Sequence, residues 1–464
     1  MSFENPGTNP FLDTADDNLS TFALDVDTAS YTVARNYLLS RELLPPADAI
    51  RPEEFVNYFD AGYDSPGGDD AFAIYLDAAP APFGFEDHQL LRVGIQGRYV
   101  APEDRDPVFL VFVIDVSGSM DMENRLGLVK ESLSLLLDEL REDDRIGIVV
   151  YSDNSRAVLQ PTPASERTTI DAAINTLRPE GSTNVQAGLQ IGYDMATENM
   201  REGENTRVVV LSDGVANVGI TEGSAMLKTI EASVEQGVTL STIGFGLGNY
   251  NDVLMEELAN NGDGNYYYVD EIKAARRVFV HNLTGTLQVI GYDAKIQVDF
   301  NPDVTDRYRL IGYENRAIAD EDFRNDEVDA GEVGAGQSVT ALYELAYEDG
   351  EAGQRVAADD VIATVYVRYE DAETREVVEI SRSIRVEDVL ADIEDAPATF
   401  RLHAAVVEFA ELLRGSFWAE DGTYGNVLRL AESAQADLNG DATLTEDVDE
   451  FVAMVRSAIR AEDQ

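Results

Sequence analysis

Residues Val108 to Ile114 are seven consecutive apolar side chains, and the run stops at Asp115-Val116-Ser117-Gly118-Ser119-Met120. An unbroken apolar run of this length suits a strand buried on both faces, as in a parallel sheet flanked by helices. Asp115, Ser117 and Ser119 then fall in the turn at the carboxyl end of that strand. Open α/β sheets bind their ligands at that end. One carboxylate and two hydroxyls in one short loop are hard oxygen donors, which suit Mg²⁺ or Mn²⁺. The ordinary alternative is that the serines cap the next helix.

Two distant segments favour the metal. Gly181-Ser182-Thr183-Asn184 precedes a helical stretch and offers Thr183 as a third hydroxyl. Val208 to Leu211 form a second buried-strand pattern that ends in Ser212-Asp213-Gly214. A strand ending in DVSGS, a GSTN loop and a strand ending in LSDG, in that order, resemble the metal-ion-dependent adhesion site of the von Willebrand factor type A superfamily. The resemblance implies that Ser117, Ser119 and Thr183 bind the metal directly, while Asp115 and Asp213 act mostly through water. Mg²⁺ is the expected ion, with Mn²⁺ or Ca²⁺ as substitutes. Met120, Asn184 and Gly214 are expected to form the partner-binding rim, Met120 and Asn184 as exposed residues.

The whole chain narrows the classes further. Its 464 residues, 44% of them hydrophobic, predict two to four globular domains. Asp and Glu number 88 against 34 basic residues, for a net charge of −54. Only Lys130, Lys228, Lys273 and Lys295 are lysines. Such charge repels itself unless salt screens it, so a halophilic or marine source is expected, with an acidic secreted protein as the alternative. Nothing here neutralises phosphates, which argues against nucleic acid and against anionic membranes. There is no cysteine, hence no disulfide and no thiolate metal site. No run of eighteen apolar residues exists to span a membrane. The opening MSFENPGTNPF lacks the charged segment and apolar core of a signal peptide.

Along the chain, residues 1–20 are rich in Asn, Pro, Asp, Gly and Thr and read as a flexible leader. Residues 21–105 read as a helical and β region. There Asp27 or Thr28 can cap a helix, and 72–78 and 89–98 alternate as antiparallel strands. The α/β domain follows over 106–285. Strands are expected at 108–114, 145–151, 156–160, 206–212, 238–246 and 265–269, with helices at 121–141, 166–177, 184–200, 221–236, 250–260 and 271–284. That alternation predicts a doubly wound, mostly parallel sheet with right-handed crossovers. The segment 156–160 is expected at its antiparallel edge. In a dinucleotide-fold strand order, the strands ending at Asp115 and Asp213 are neighbours. Residues 286–395 read as a β-sandwich, which the strands before 106 would complete, making the central domain an insertion. Residues 396–464 read as helical.

Three blocks outside the central domain narrow the family. They are Ser20-Thr21-Phe22 with Asp25 to Tyr31 and Asn57-Tyr58-Phe59; Tyr308 to Arg316; and Asp329 to Gly336 leading into Val339-Thr340-Ala341-Leu342-Tyr343-Glu344. Together they resemble the bacterial YfbK-like proteins, which carry a type A domain between an N-terminal family region and a family-specific C-terminal domain. The resemblance covers nearly the whole chain after residue 18. It implies an extracellular or cell-envelope location, periplasmic or surface, with a lipid anchor on the full-length precursor. Two departures stand out. Gln337 follows Gly-Ala-Gly where the family usually has histidine, and the lipoprotein cysteine is absent.

Other signals are weaker. Asp437, Asn439, Asp441, Thr443 and Thr445 imitate a calcium loop, but Ala442 and Val448 stand where a glycine and a glutamate belong. His88, His281 and His403 are scattered, and no HExxH, P-loop or Ser-His-Asp pattern appears. No His, Cys or Lys in the three motif segments supplies a general base. A metal-assisted hydrolase is therefore disfavoured, and no enzyme activity is expected. The leading expectation is an adhesion or scaffold module whose metal captures an aspartate or glutamate of a partner protein. The alternative is a structural subunit of an envelope or extracellular assembly, with a purely stabilising metal.

Overall fold

The computed structural model describes residues 7–24, 27–68, 70–84, 87–214, 232–234, 236–246, 252–326, 328, 330–347, 356–438 and 442–462. Its contacts divide the chain into a central unit, Val100–Val289, and a second unit built from Asn5–Tyr99 and Ile290–Gln464.

The second unit starts with strands β1 (Leu12–Asp13) and β2 (Leu19–Ala23), short helices α1 (Ala29–Arg35) and α2 (Pro52–Val56), then β3 (Phe72–Pro80) and β4 (Gln89–Gly97). The central unit contributes β5 (Val108–Asp115), α3 (Arg125–Glu139), β6 (Arg145–Tyr151), β7 (Arg156–Pro163), α4 (Arg167–Thr176), α5 (Val185–Asn199) and β8 (Asn205–Ser212). It continues with β9 (Val238–Phe245), α6 (Asp252–Asn260), β10 (Tyr266–Val269), α7 (Ile272–Arg276) and α8 (Leu283–Leu287). Back in the second unit come β11 (Val289–Phe300), β12 (Thr305–Ile311), β13 (Gly331–Gly334), β14 (Ser338–Tyr347), β15 (Val361–Asp371) and β16 (Val377–Arg385). Helices α9 (Ala398–Arg414), α10 (Tyr424–Asp437) and α11 (Ala442–Glu462) close the chain.

The central sheet runs β10-β9-β8-β5-β6-β7. All neighbours are parallel except β7, which pairs antiparallel to β6 at the edge. Every residue of β5 is buried, and its two faces serve different layers. Val108, Leu110, Phe112 and Ile114 share a core with Leu126, Val129, Leu133 and Leu136 of α3 and with Ile170 and Ile174 of α4. The opposite face meets α5, which comes close because Gly188 has no side chain. A Cβ there would sit 2.8 Å from the Tyr151 ring. The sheet is therefore doubly wound, as an apolar run without alternation requires. Arg105 seals the entrance to the unit. Its Nη1 donates to Asp144 Oδ1 at 2.9 Å, and Asp144 also accepts from the Val108 and Arg141 amides at 3.0 and 2.7 Å. The helix expected at 221–236 lies outside the described residues, apart from 232–234 and 236.

In the second unit one sheet runs β1-β12-β14-β4-β3 and the other β13-β11-β15-β16, with β2 paired to β11. The sheets meet through aromatics. Phe300 of β11 stacks on Tyr308 of β12 at 4.3 Å, and Phe72 of β3 meets Tyr369 of β15 edge-on at 4.6 Å. Such pairs hold more than their buried area implies. Helices α1, α2, α9, α10 and α11 bury a core around Tyr31, Phe55, Phe409 and Phe451.

The flexible leader expected over 1–20 is corrected from Asn9 onward. Leu12 and Asp13 pair with Tyr308 and Arg307, and the Asn9 side chain donates to the carbonyls of Leu310 and Gly312. Phe11 packs edge-on against Trp418 and His88 at 5.0 and 5.2 Å. Partners nearly three hundred residues away order a stretch whose own composition favours disorder.

Candidate metal centre of the type A domain

Strands β5 and β8 lie side by side and parallel, so Asp115 and Asp213 emerge at the same edge of the sheet. Asp115 ends β5 and is fully buried. Its Oδ1 accepts from the Ser117 amide at 2.8 Å and its Oδ2 from the Ser212 hydroxyl at 3.1 Å. Asp213, also fully buried, follows the last residue of β8. The third loop is strapped to the first. The Gly118 amide donates to the Gly181 carbonyl at 3.1 Å, and the Glu180 amide to the Val116 carbonyl at 2.5 Å. Thr183, two residues beyond Gly181, is buried.

The serines are not helix caps. Ser117 precedes the 3-10 turn Gly118–Asn124 but makes no side-chain cap bond. Its hydroxyl instead faces that of Ser119 at 2.9 Å. Ser119 is half-buried, while Gly118, Ser182 and Asn184 are exposed, so the serine pair lies beside open surface. Burial pushes the Asp115 carboxyl up to about 6, with the neighbouring Asp213 charge adding to the push and hydrogen bonds from Ser117 and Ser212 opposing it. Such a group gains from a cation nearby. Among the described residues no three His, Cys, Asp or Glu side chains gather as a metal cage. A cation here would therefore lean on hydroxyl oxygens with carboxylates behind them, a donor set that fits Mg²⁺.

Of the three rim residues expected from the sequence, Asn184 alone is exposed, and its side chain also caps α5 by accepting from the Ala187 amide at 3.2 Å. Met120 is corrected. The 3-10 turn points it inward and it is fully buried in the core with Ile114 and Leu126. Gly214 is buried as well, in a turn with φ 69°, its amide donating to the Ser212 hydroxyl at 3.1 Å. Elsewhere, Thr28 stands before α1 without a side-chain cap bond, and Asp27 pairs with Arg316 at 3.3 Å instead. In the calcium-loop lookalike, Asn439 and Asp441 lie outside the described residues, and Val448 is buried on α11.

One residue at the site escapes the sequence reading. Arg125, first in α3, is 3% exposed, and its Nη1 donates to Asp213 Oδ2 at 2.6 Å. A signal existed: Arg125 continues the buried stripe of Val129, Ser132 and Leu136 at helical spacing. A charge in such a stripe needs a buried partner.

Residues 110–281 match the von Willebrand factor type A domain, residues 1–92 a family described as von Willebrand factor, and residues 285–460 the family described as "Uncharacterized protein YfbK, C-terminal". "Uncharacterized protein YfbK" of Escherichia coli (strain K12) is 37% identical over 458 residues, covering 93% of this chain and 79% of that protein. The chain belongs to the YfbK family. Inter-alpha-trypsin inhibitor heavy chain H3 of Mesocricetus auratus is 26% identical to this YfbK-family chain over 235 residues, 48% of the chain and 24% of that protein. A solved von Willebrand factor type A protein from Catenulispora acidiphila aligns with a TM-score of 0.47 at 15% identity, covering 85% of this chain and 98% of that one. The type A domain makes the YfbK-family chain a protein-interaction module. Among the described residues no helix is long and apolar enough to cross a membrane.

Proposed function

We propose that the chain binds a partner protein through a divalent cation, Mg²⁺ by preference, held where β5 and β8 end. The observation that carries this reading is the serine pair. Two hydroxyls 2.9 Å apart, outside any helix cap, lie on the same loop as a buried carboxylate. Ser117, Ser119 and Thr183 would hold the cation directly, and Asp115 and Asp213 would act through water. Bound there, the cation supplies an open coordination position for an aspartate or glutamate of the partner. Loops strapped together before binding lower the ordering cost of association.

A non-catalytic role is part of the proposal. Asp115 is committed to Ser117 and Ser212, and Asp213 to Arg125, which leaves neither as a ready general base. Exposure of the acidic surface to high salt, outside the cell or in its envelope, belongs to the same reading. The test is capture of partners from envelope extracts in Mg²⁺ against EDTA, with Asp115→Ala and Thr183→Ala as controls. Capture should depend on Mg²⁺ and vanish in both variants while their circular dichroism stays unchanged. Capture that survives EDTA and both substitutions overturns the proposal.

A further inference from the structure

Arg125 is placed against ordinary preference. It begins a helix, where the dipole disfavours a cation, and it is buried, where a guanidinium loses its hydration. The fold nevertheless makes room for it. Its stem passes Gly246, just after β9, so closely that a Cβ there would lie 2.2 Å from Nε and 2.6 Å from Cδ. Gly246 itself has φ +78°, a conformation suited to glycine. The guanidinium then reaches Asp213 Oδ2 at 2.6 Å and the Ser119 carbonyl at 3.4 Å, so it spans two of the three metal loops.

Charge arithmetic says what this does. Asp115 and Asp213 together carry −2, and Arg125 reduces that to −1. With a divalent cation the cluster becomes +1, where without Arg125 it would be neutral. A cluster at +1 attracts an incoming carboxylate, and a neutral one does not. The same positive charge repels the cation.

Resting on the metal-site reading above, we propose that Arg125 is a tethered cation that weakens Mg²⁺ binding to the free protein and strengthens the pull of the loaded site on a partner carboxylate.

The experiment is a calorimetric titration of the full chain with Mg²⁺ alone at fixed salt, comparing wild type with Arg125→Gln, Arg125→Met and Arg125→Lys. One unit charge acting on a divalent ion from about 10 Å, at an effective dielectric of about 20, predicts a change on the order of a hundredfold in Kd. The two neutral variants should bind Mg²⁺ that much more tightly, and Arg125→Lys should stay close to wild type. Arg125→Met keeps the stem beside Gly246 and serves should the glutamine variant not fold. Equal or weaker Mg²⁺ binding by the neutral variants, with wild type binding normally, overturns this inference and leaves the metal site standing. Absence of Mg²⁺ binding in every protein, wild type included, overturns both.

Discussion

Replacing Glu408 with glutamine should make the protein less sensitive to alkali. Glu408 lies on α9 beside a cavity of about 30 Å³, lined also by Arg309, Glu344, Glu411 and Trp418. Its Oε1 is buried, with no hydrogen-bond partner among the described residues. Burial, reinforced by the charges of Glu411 and Glu344 and opposed by Arg309, pushes its carboxyl from 4.5 up to about 8. The sign follows from linkage. Between those two values the folded chain holds a proton that the unfolded chain has released, so stability falls as pH rises through that window. At about 1.4 kcal/mol per pH decade, the loss attributable to this group is about 3–5 kcal/mol above pH 8. Glutamine never ionises and does not incur it. Urea unfolding of wild type and Glu408→Gln at pH 5 and pH 9, in one fixed salt, measures the difference. The variant should gain on wild type by that amount between the two conditions. A parallel decline in both proteins, or a glutamine variant weaker at pH 9 than wild type, would refute the reasoning.

Two further substitutions test the frame of the central unit. Arg105→Ala strands the fully buried Asp144 carboxylate with only its two amide donors, and should cost about 3–5 kcal/mol in chemical denaturation. A loss below about 1 kcal/mol would mean that water reaches Asp144. Gly188→Val drives a branched side chain into the Tyr151 ring and should cost about 1–3 kcal/mol in the same assay. Because Tyr151 pairs with Asp115 across the sheet, that variant should also lose part of any rise in Tm produced by Mg²⁺. An unchanged Mg²⁺ response would uncouple the α5 interface from the metal loops.

The doubly wound fold was legible because its central strands are buried on both faces. Val108 to Ile114 and Val208 to Leu211 are apolar without alternation, which leaves few other architectures. The placement of Asp115 and Asp213 at strand ends was legible for a related reason: they sit where those runs stop. What stayed hidden depends on partners remote in sequence. Arg125 meets Asp213 from 88 residues away, and only its place in a buried helical stripe marks it. Met120 follows the serines directly, so it reads as rim until the 3-10 turn is known to rotate it inward. Leu12 and Asp13 sit in a polar, proline-containing stretch, and the edge of β12 alone makes them a strand. The π-helical turn Asn36–Ser40, which ends α1, has no sequence signal comparable to proline or glycine.

Strand β4 lies between β3 and β14, and β2 pairs with β11, so both sheets of the second unit are sewn from segments before and after the central unit. A ribosome therefore releases β2 and β4 long before β11 and β14 exist. The type A domain can close on itself in the interval, while the early strands carry unmatched edges that invite wrong partners. Final assembly must close a loop as long as the whole inserted domain, an entropic demand that grows only slowly with length but delays completion. Cutting the gene at either junction would leave the strands of both sheets divided between two pieces.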